Sequence, residues 1–496
     1  MVRRFLLYGY HEKNKSSLKY LLHGGLSIFF IIFGYCELFA IFITLHRKFN
    51  IISFKKMTQF NKVQRHYLYA IGMLLLLHTP VKAQDYQDNF DKYRIGGYGE
   101  IVANFKDYGI NRFYGGSEGN SKTNHNEISI PRFVIAGDYK FNSKWVLGVE
   151  VEFEAGGTGI ETELENTENG EYETELEKGG EVALEQFHLT RYITPEFNIR
   201  AGHIIVPVGL TNAHHEPINF FGTTRPEGET TIIPSTWHET GLEFFGRFGK
   251  GSYSFNYEAQ IVTGLNANGF DRNAWVAGGK QGKFEVDNFT SPAYVTRLNW
   301  TGVRGLRLGA SFYWCANTGK NCDKLTTYGS IGKLPVTIFT IDGQYVNKYV
   351  TARANFMQGH LGNADKLGSR NGRLSNLSGY SRLTPIAKTA LSYSGEVGVN
   401  LQSVVGNEKF PVIYPFVHYS YYNPQEKAAG TNVMDDRCQV SLWKAGLNWK
   451  ALPNLVVKAD YTTRQIGTHK IFGSGKYNSE NEFAIGIAFV DWFFKK

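Results

Sequence analysis

The stretch WVLGVEVEFEA at residues 145–155 alternates apolar and charged side chains. From Leu147 onward the odd-numbered positions carry Leu, Val, Val, Phe and Ala, and the even-numbered positions carry one glycine and three glutamates. A period of two residues is that of a β-strand, whose successive side chains point to opposite faces. The stretch therefore predicts a strand with one apolar and one charged face.

The same alternation recurs along most of the chain after residue 93, and it predicts sixteen strands. The predicted strands are residues 94–107, 127–140, 145–155, 181–193, 197–206, 239–248, 253–264, 293–301, 305–314, 335–344, 348–358, 388–401, 410–422, 437–449, 455–464 and 481–492. Long connections such as 156–180 alternate with short ones such as 142–144. This rhythm is typical of an all-β fold, a 16-stranded antiparallel transmembrane β-barrel with long outer loops and short periplasmic turns.

Aromatic residues near the predicted strand ends support a barrel in a membrane. The residues concerned are Tyr98, Trp145, Trp300, Trp314, Trp449, Tyr461 and Trp492. Such positions fit the aromatic girdles at the two membrane interfaces. A soluble β-sandwich is the alternative, but its outward faces would be more uniformly polar.

A signal peptide is predicted in front of the barrel, starting at Met57. Basic residues, an apolar run at 67–77 and the tripeptide Val-Lys-Ala follow one another, as in secretory signals. We expect residues 57–83 to be this signal, with cleavage between Ala83 and Gln84. Residues 84–93 would then form a short periplasmic segment, and residues 94–496 the transmembrane β-barrel.

An earlier apolar stretch at residues 26–45 allows two interpretations. About 20 apolar residues are enough for a transmembrane anchor. The alternative is a start site assigned too early, which would make residues 1–56 an N-terminal extension absent from the natural product. We favour this alternative because a second apolar segment ahead of the signal peptide would compete with it.

The basic isoelectric point, about 9.0, does not indicate a nucleic-acid partner. Residues 1–83 hold 12 Lys and Arg against 2 Asp and Glu, whereas the rest of the chain holds 41 basic and 43 acidic residues. The excess positive charge therefore belongs to the leader. The chain also contains no zinc-finger or RNA-recognition motif.

Residues 184–246 resemble the phosphate-selective porin O and P family. The matching features are Arg191-Tyr192, Thr194-Pro195-Glu196-Phe197, Arg200-Ala201-Gly202, Val206-Pro207-Val208-Gly209-Leu210, Arg225-Pro226 and Glu239-Thr240-Gly241. The resemblance implies a pore in the outer membrane of a Gram-negative-type bacterium, surrounded by lipid and usually a homotrimer. It also implies that the third outer loop folds inward.

The third long connection, residues 207–238, is therefore the candidate constriction loop, and an ordinary surface loop is the alternative. Its candidate residues are His214, His215, Glu216, Arg225 and Glu227. The adjacent histidines lack the spacing of a metal-binding motif such as HExxH. We predict neither a metal site nor a cofactor.

Inward-facing charged positions of the strands are the candidate pore lining. These are Arg132, Arg200, Arg247, Arg297, Arg307, Arg353, Lys444, Lys458, Glu150, Glu152 and Glu258. Basic side chains favour anions and acidic ones favour cations, and the two signs nearly balance once Glu154, Glu243, Glu396 and Asp460 are included. The connection at 161–177 adds eight Glu and no basic residue, and we expect it to be a solvated, self-repelling loop.

Cys315 and Cys322 bracket the short polar segment CANTGKNC. In an oxidising compartment such a pair predicts a disulfide that closes a loop. Zinc binding is a weaker alternative because no partner pair lies nearby in the sequence.

Together these features predict an outer-membrane porin for passive diffusion of small hydrophilic solutes or ions, including anions such as phosphate. The alternatives are an outer-membrane barrel enzyme and a surface adhesin or receptor. We predict no enzymatic activity because the chain has no GxSxG motif and no convincing Ser/His/Asp set. The outer loops are also short for an adhesin.

Overall fold

In the computed structural model the chain forms a closed antiparallel barrel of sixteen strands. The structure describes residues 90–108, 124–154, 182–281, 287–322, 329, 331–371, 385–432, 434–467 and 479–496, and the backbone of 161–165 and 173–177. The predicted extension, the signal peptide and its cleavage site lie outside these residues. The predicted fold class is confirmed.

All sixteen predicted strands are present, with ends that differ by a few residues. The barrel strands are β1 Tyr93–Asp107, β2 His125–Asn142, β3 Trp145–Glu154, β6 Val182–Thr194, β7 Phe197–Ile205, β8 His238–Phe248, β9 Phe255–Val262, β10 Ala293–Val303, β11 Leu306–Cys315, β12 Val336–Val346, β13 Val350–Leu361, β14 Thr389–Val399, β15 Val412–Lys427, β16 Val440–Leu452, β17 Leu455–Ile466 and β18 Ser479–Lys495. Each strand pairs with the strand before and after it along the barrel wall. The barrel is closed by β1 and β18, which pair from Arg94 opposite Lys495 to Asp107 opposite Asn481.

The connections divide between the two ends of the barrel as predicted. Tight turns such as those after Asn142 and Val303 lie at the end that carries both termini of the barrel, and the long loops lie at the other end. The connection between β14 and β15 departs from a tight turn, because it contains a short helix, Leu401–Val405. Two further helices lie in long loops. In chain order the three helices are α1 (Glu227–Ile232), α2 (Ala364–Asn371) and α3 (Leu401–Val405). Within the described ranges, no helix has the length and apolarity to cross a membrane.

The acidic connection contains regular structure that the sequence analysis did not predict. The backbone of Glu161–Glu165 (β4) pairs with that of Glu173–Glu177 (β5) as a two-stranded antiparallel hairpin. Both strands read ETELE, and an Asn-Gly pair lies between them. Period-2 alternation around Asn-Gly is a hairpin signal. The repeated negative charge was given more weight than this signal, and a solvated loop was predicted.

An apolar core lies inside the barrel at its long-loop end. Loop residues such as Trp237, Phe270 and Trp275 pack there against inward side chains such as Ile338 and Met357, and all of these are fully buried. The core follows β7 to β17, where inward positions near the outer strand ends are apolar. These positions can be apolar because the outer loops cover them and remove them from water.

Two of the predicted girdle residues face the lumen instead. Tyr98 is 3% exposed and its hydroxyl donates to Glu185 Oε2 at 3.1 Å. Trp492 lines the lumen, where Arg94 stacks 4.1 Å from its ring centroid. Trp145, Trp314, Trp449 and Tyr461 are exposed on the outer face.

Candidate site in the barrel lumen

The inward loop, residues 206–237, leaves the barrel wall between β7 and β8. The Val206 amide donates to the Trp237 carbonyl at 2.9 Å, which closes the base of the loop. The Asn212 side chain donates to the carbonyls of Val206 at 2.7 Å and Trp237 at 3.2 Å. These bonds fix both ends of the loop at one point of the wall.

The first half of the inward loop is held by the backbone of the Val206–Leu210 motif. Gly209 has φ +85°, and a Cβ there would lie 2.3 Å from Glu229 Oε1, so only glycine fits without rearrangement. The Gly209 carbonyl accepts from Arg297 Nη1 at 3.0 Å. Glu229 accepts from the Asn212 amide and from Asn355 Nδ2, both at 2.7 Å. The loop is thereby attached to β10 and β13.

The second half of the inward loop crosses to the far wall. The Thr223 amide donates to Asp460 Oδ2 at 2.6 Å, and Glu227 pairs with Arg464, whose Nε is 2.9 Å from Oε1. Lys458 Nζ donates to the carbonyls of Phe220 at 2.9 Å and Gly222 at 2.8 Å. These partners belong to β17, which is far around the barrel from β7 and β8, so the loop spans the lumen.

Aromatic and histidine side chains complete the contacts of the inward loop. Phe221 stacks on Phe416 of β15 with ring centroids 5.4 Å apart. His215 Nε2 lies 3.2 Å from Glu185 Oε1 of β6, and His214 contacts Arg307 of β11. Because strands all around the barrel contribute, the position of the loop is determined by many separate bonds.

Burial and neighbouring charges shift the pKa values of the loop groups. Burial acts to raise the pKa of Glu227, but Arg464 outweighs it and lowers the pKa to about 2. Burial raises the pKa of Glu229 to about 7, although backbone amides oppose the shift. Burial and then Arg307 hold the pKa of His214 well below its usual value. Glu227 is therefore ionised and His214 neutral at pH 7.

A cavity of about 520 Å³ lies between the inward loop and the barrel wall. Six of the predicted site residues line it: Arg200, Arg307, Arg353, Glu150, His214 and Glu216. Arg225, Glu227 and Lys444 line a small adjoining pocket. The structure thus brings candidates from four strands and the loop to the cavity, and Lys444 from a fifth strand to the pocket beside it.

The other predicted residues occupy different surroundings. Arg132 lies 3.6 Å from Glu152 Oε1, and Lys458 is fully buried under the loop. Arg297 is 2% exposed, and its Nη2 lies 2.8 Å from both oxygens of Asp342. Glu258 sits opposite Arg297 on β9, and Arg247 is exposed near the turn end of β8. Arg297 is thus committed to a structural ion pair and to the loop carbonyl.

Most cationic groups around the cavity are paired with carboxylates. Arg94 Nε lies 2.6 Å from Asp138 Oδ2, Arg200 Nη1 lies 2.8 Å from Glu243 Oε2, and Arg353 pairs with Glu396. Arg307 differs. Its Nη1 contacts His214, while Nε and Nη2 are buried and make no hydrogen bond within the described part of the chain. Arg307 therefore brings to the cavity a positive charge that pairs with no carboxylate in the described part of the chain.

The predicted disulfide between Cys315 and Cys322 is not formed, because both residues are thiols in the structure. Cys315 Sγ donates to the Ser291 carbonyl at 3.4 Å, and Cys322 Sγ donates to Asn266 Oδ1 at 2.9 Å. Both side chains are buried in the loop core, where separate polar partners hold the sulfurs.

Several residues that hold the inward loop were not predicted to do so. Arg464, Asn355 and Asp460 anchor it from the wall, and Tyr98 and Glu185 contact His215. Arg464, Asn355 and Asp460 occupy inward positions of predicted strands, whereas Tyr98 was predicted as a girdle residue and Glu185 lies where the pairing of β3 with β6 shifts register. The loop residues that these five contact lie 30 or more positions away in the sequence, and no local pattern shows such pairings.

The outward face of the barrel is apolar. Ile101, Leu298 and Phe312 are 52%, 44% and 43% exposed, and large apolar side chains recur at outward positions along the strands. A continuous apolar band around a closed β-barrel requires an apolar surrounding, because water would be in contact with it otherwise. The barrel spans a membrane.

Comparison with known proteins gives distant similarities. No protein-family model matches the chain. A protein of Aquifex aeolicus (strain VF5), described as uncharacterized, is 25% identical over 373 residues, or 74% of each chain. Among solved structures, the chain is similar to Salmonella typhi OmpF in complex with daunomycin (11% identity, TM-score 0.48, 81% of this chain and 98% of that chain). It is also similar to an anion-selective porin from Comamonas acidovorans (9% identity, TM-score 0.47, 80% and 99%). These similarities are too low to assign a function.

Proposed function

We propose that this protein is an outer-membrane porin through which small hydrophilic solutes diffuse passively, with a preference for anions. The observation that carries the proposal is a closed transmembrane barrel whose lumen is crossed by one loop and keeps a cavity lined by charged side chains. A barrel of this size has room for an aqueous path beside an inward loop. The resemblance of residues 184–246 to the phosphate-selective porin O and P family supports the same function.

The anion preference rests on Arg307. Arg307 lines the cavity and forms no ion pair within the described residues, whereas the neighbouring Arg200 and Arg353 are paired with carboxylates. An anion that passes the loop would be attracted by the positive charge of this guanidinium. Phosphate carries negative charge that such a group attracts, and we propose it as one of the permeating anions.

The porin proposal is tested by single-channel recording of the purified protein in a planar bilayer. Stepwise current is expected, and its absence would contradict the porin function. In a salt gradient the reversal potential should show anion preference in the native protein. Phosphate added at constant chloride should reduce the chloride current, and an unchanged current would exclude a phosphate site in the pore.

The role of Arg307 is tested by comparing R307A with R304A. Both variants lose one positive charge from the same hairpin, but Arg304 is exposed in the turn between β10 and β11. R307A should move the reversal potential toward cations, whereas R304A should leave it near that of the native protein. Equal shifts in both variants would mean that net charge, rather than the cavity, sets the selectivity.

We also propose that the barrel is a homotrimer in the outer membrane, as the family resemblance implies. Native mass spectrometry of the protein in detergent should give three times the mass of the chain. A monomer alone would contradict this part of the proposal.

A further inference from the structure

A second cluster of chemically active groups lies where the inward loop meets β3 and β6. Glu150 of β3, Glu185 of β6 and His215 of the loop each place a ligand atom within 4.8 Å of the others. Glu185 and His215 are buried at 0% and 3% exposure, and Glu150 borders the cavity. The porin function makes no use of this arrangement.

The histidine is oriented as a metal ligand would be. His215 Nδ1 donates to the Asn212 carbonyl at 3.0 Å, since a carbonyl oxygen can only accept. This bond directs Nε2 toward Glu185 Oε1, 3.2 Å away, and toward the Tyr98 hydroxyl, 2.9 Å away. In metal sites the second ring nitrogen of a histidine ligand commonly donates to a backbone carbonyl in this way.

Two carboxylates in or beside the cluster have an unsatisfied oxygen. Glu150 Oε2 and the adjacent Glu152 Oε1 are buried and accept no hydrogen bond within the described residues, whereas Glu185 Oε1 faces His215 Nε2. Arg132 is 3.6 Å from Glu152 and 3.8 Å from Glu100, so one guanidinium serves two carboxylates at long distance. Buried carboxylates that lack partners are costly unless a cation neutralises them.

We propose that Glu150, Glu185 and His215 bind a divalent transition-metal cation of the Zn²⁺ class. One imidazole and two carboxylates are ligands that such ions accept, and the cavity beside Glu150 gives an entry path and room for a water ligand. Because the ligands come from β3, β6 and the inward loop, the ion would fasten the loop to the wall. An ordinary ion pair between His215 and Glu185 is the alternative that the experiment must separate.

The test is calorimetric titration of the full protein in detergent with ZnCl₂ after removal of metals with EDTA. One Zn²⁺ per chain is expected. E150Q and H215Q should weaken binding by about tenfold or more, because each removes a direct ligand. Absence of a stoichiometric site, or an affinity that neither variant changes, would leave the simple ion pair as the explanation and overturn the proposal.

Two histidine variants are matched controls. H360Q changes an exposed histidine, and H203Q changes the other buried histidine pair, in which His203 contacts His238. Both variants should bind Zn²⁺ as the native protein does. Loss of binding in H203Q with retention in H215Q would place the ion elsewhere and contradict the assignment.

Circular dichroism and the heat-dependent shift on gel electrophoresis establish that each variant is folded. If H215Q does not fold, E150Q alone tests the metal site. Glu150 Oε2 accepts no hydrogen bond within the described residues, so its replacement should leave the protein folded. X-ray absorption at the zinc edge supplies an independent readout. One histidine nitrogen among oxygen ligands is expected, and sulfur or several nitrogen ligands would refute the site.

Discussion

Charged side chains in the lumen divide into those that hold the protein together and those that face the cavity. Arg297 donates to both oxygens of Asp342 and to the Gly209 carbonyl, and it is almost completely buried. Arg307 lies ten residues later in the chain, on the neighbouring strand β11. Its Nε and Nη2 make no hydrogen bond within the described residues. Identical residue types on adjacent strands therefore have different roles, and alternation alone does not distinguish them.

R297A is expected to destabilise the protein rather than to change its ion preference. Removal of the guanidinium leaves Asp342 buried and uncompensated, which costs about 3–5 kcal/mol in comparable buried pairs. Denaturant titration followed by circular dichroism measures the loss. D342N, which removes the carboxylate charge instead, is the companion variant. If R297A has normal stability but altered ion selectivity, Arg297 lines the pore and is not a structural residue.

G209A is expected to displace the inward loop. A non-glycine residue at positive φ costs about 1–3 kcal/mol, and the new Cβ would also collide with the Glu229 carboxylate. Single-channel conductance and its noise should both change. G251A is the control, because Gly251 also has positive φ (56°) but lies in a turn with open space around it. Equal effects of the two changes would show that backbone strain, not the loop contact, is responsible.

Helix α1 shows how a short element is stabilised from outside. Six residues are too few for a stable helix on their own. Glu227 and Glu229 in its first turn bind Arg464 and Asn355 of the barrel wall. The helix was not predicted from the sequence because its stability comes from these distant partners.

The anchor of α1 gives a defined pH dependence. The pKa of Glu227 is lowered from 4.5 to about 2 by Arg464, so its ionised form is favoured in the folded protein. The resulting stabilisation is complete above pH 4.5 and is lost as the pH falls through about 2. The contribution of the Glu227–Arg464 pair to channel noise should therefore be constant from pH 7 to 5 and increase below pH about 4, whereas a change between pH 7 and 5 would come from Glu229, whose pKa is about 7.

The variant E227Q separates this anchor from other acid effects. It should already be noisy at pH 7 and show no further change from this pair at lower pH. E216Q is a suitable comparison, since Glu216 accepts only from the neighbouring Asn219 of the loop, at 2.7 Å, among its described bonds. If E227Q and the native protein respond to acid alike, the anchor is not the titrating element.

The strands were predictable because their burial alternates residue by residue, as in β10, where Val295, Arg297 and Asn299 are buried and the residues between them are exposed. A lipid face and a lumen face impose this period directly on the sequence. The inward course of residues 206–237 followed only from the family resemblance. The core formed by the outer loops was not predicted, because contacts such as Trp275 with Ala387, 3.1 Å between Nε1 and the carbonyl oxygen, join segments over 100 residues apart.

At the scale of the whole molecule, closure depends on the pairing of the first and last strands. β1 and β18 pair over fourteen positions, and the Lys496 carbonyl also accepts from the amides of Asp91 and Tyr93 at 2.7 and 3.2 Å. A barrel has no free edge only while this seam is intact.

Deletion of residues 491–496 is expected to prevent stable closure. The partners of Arg94, Ile95, Gly96 and Gly97 would be lost from the seam, which leaves backbone groups unpaired at the membrane surface. Gel electrophoresis of heated and unheated samples, together with resistance to added protease, reports on the folded barrel. Substitution of Phe493 and Phe494 by Ala, which keeps the backbone, is the control, and an equally severe effect would indicate that these side chains matter more than the seam.

The apolar core beneath the outer loops and the membrane-spanning strands should differ in their sensitivity to urea. The strands are stabilised by hydrogen bonds within lipid, which urea reaches poorly. The loop core lies inside the long-loop end of the barrel, and its stability comes from the exclusion of water, as in a small water-soluble domain. Moderate urea should therefore unfold the loop core while the barrel strands stay paired. The accompanying positive heat-capacity change should come from the loop core alone.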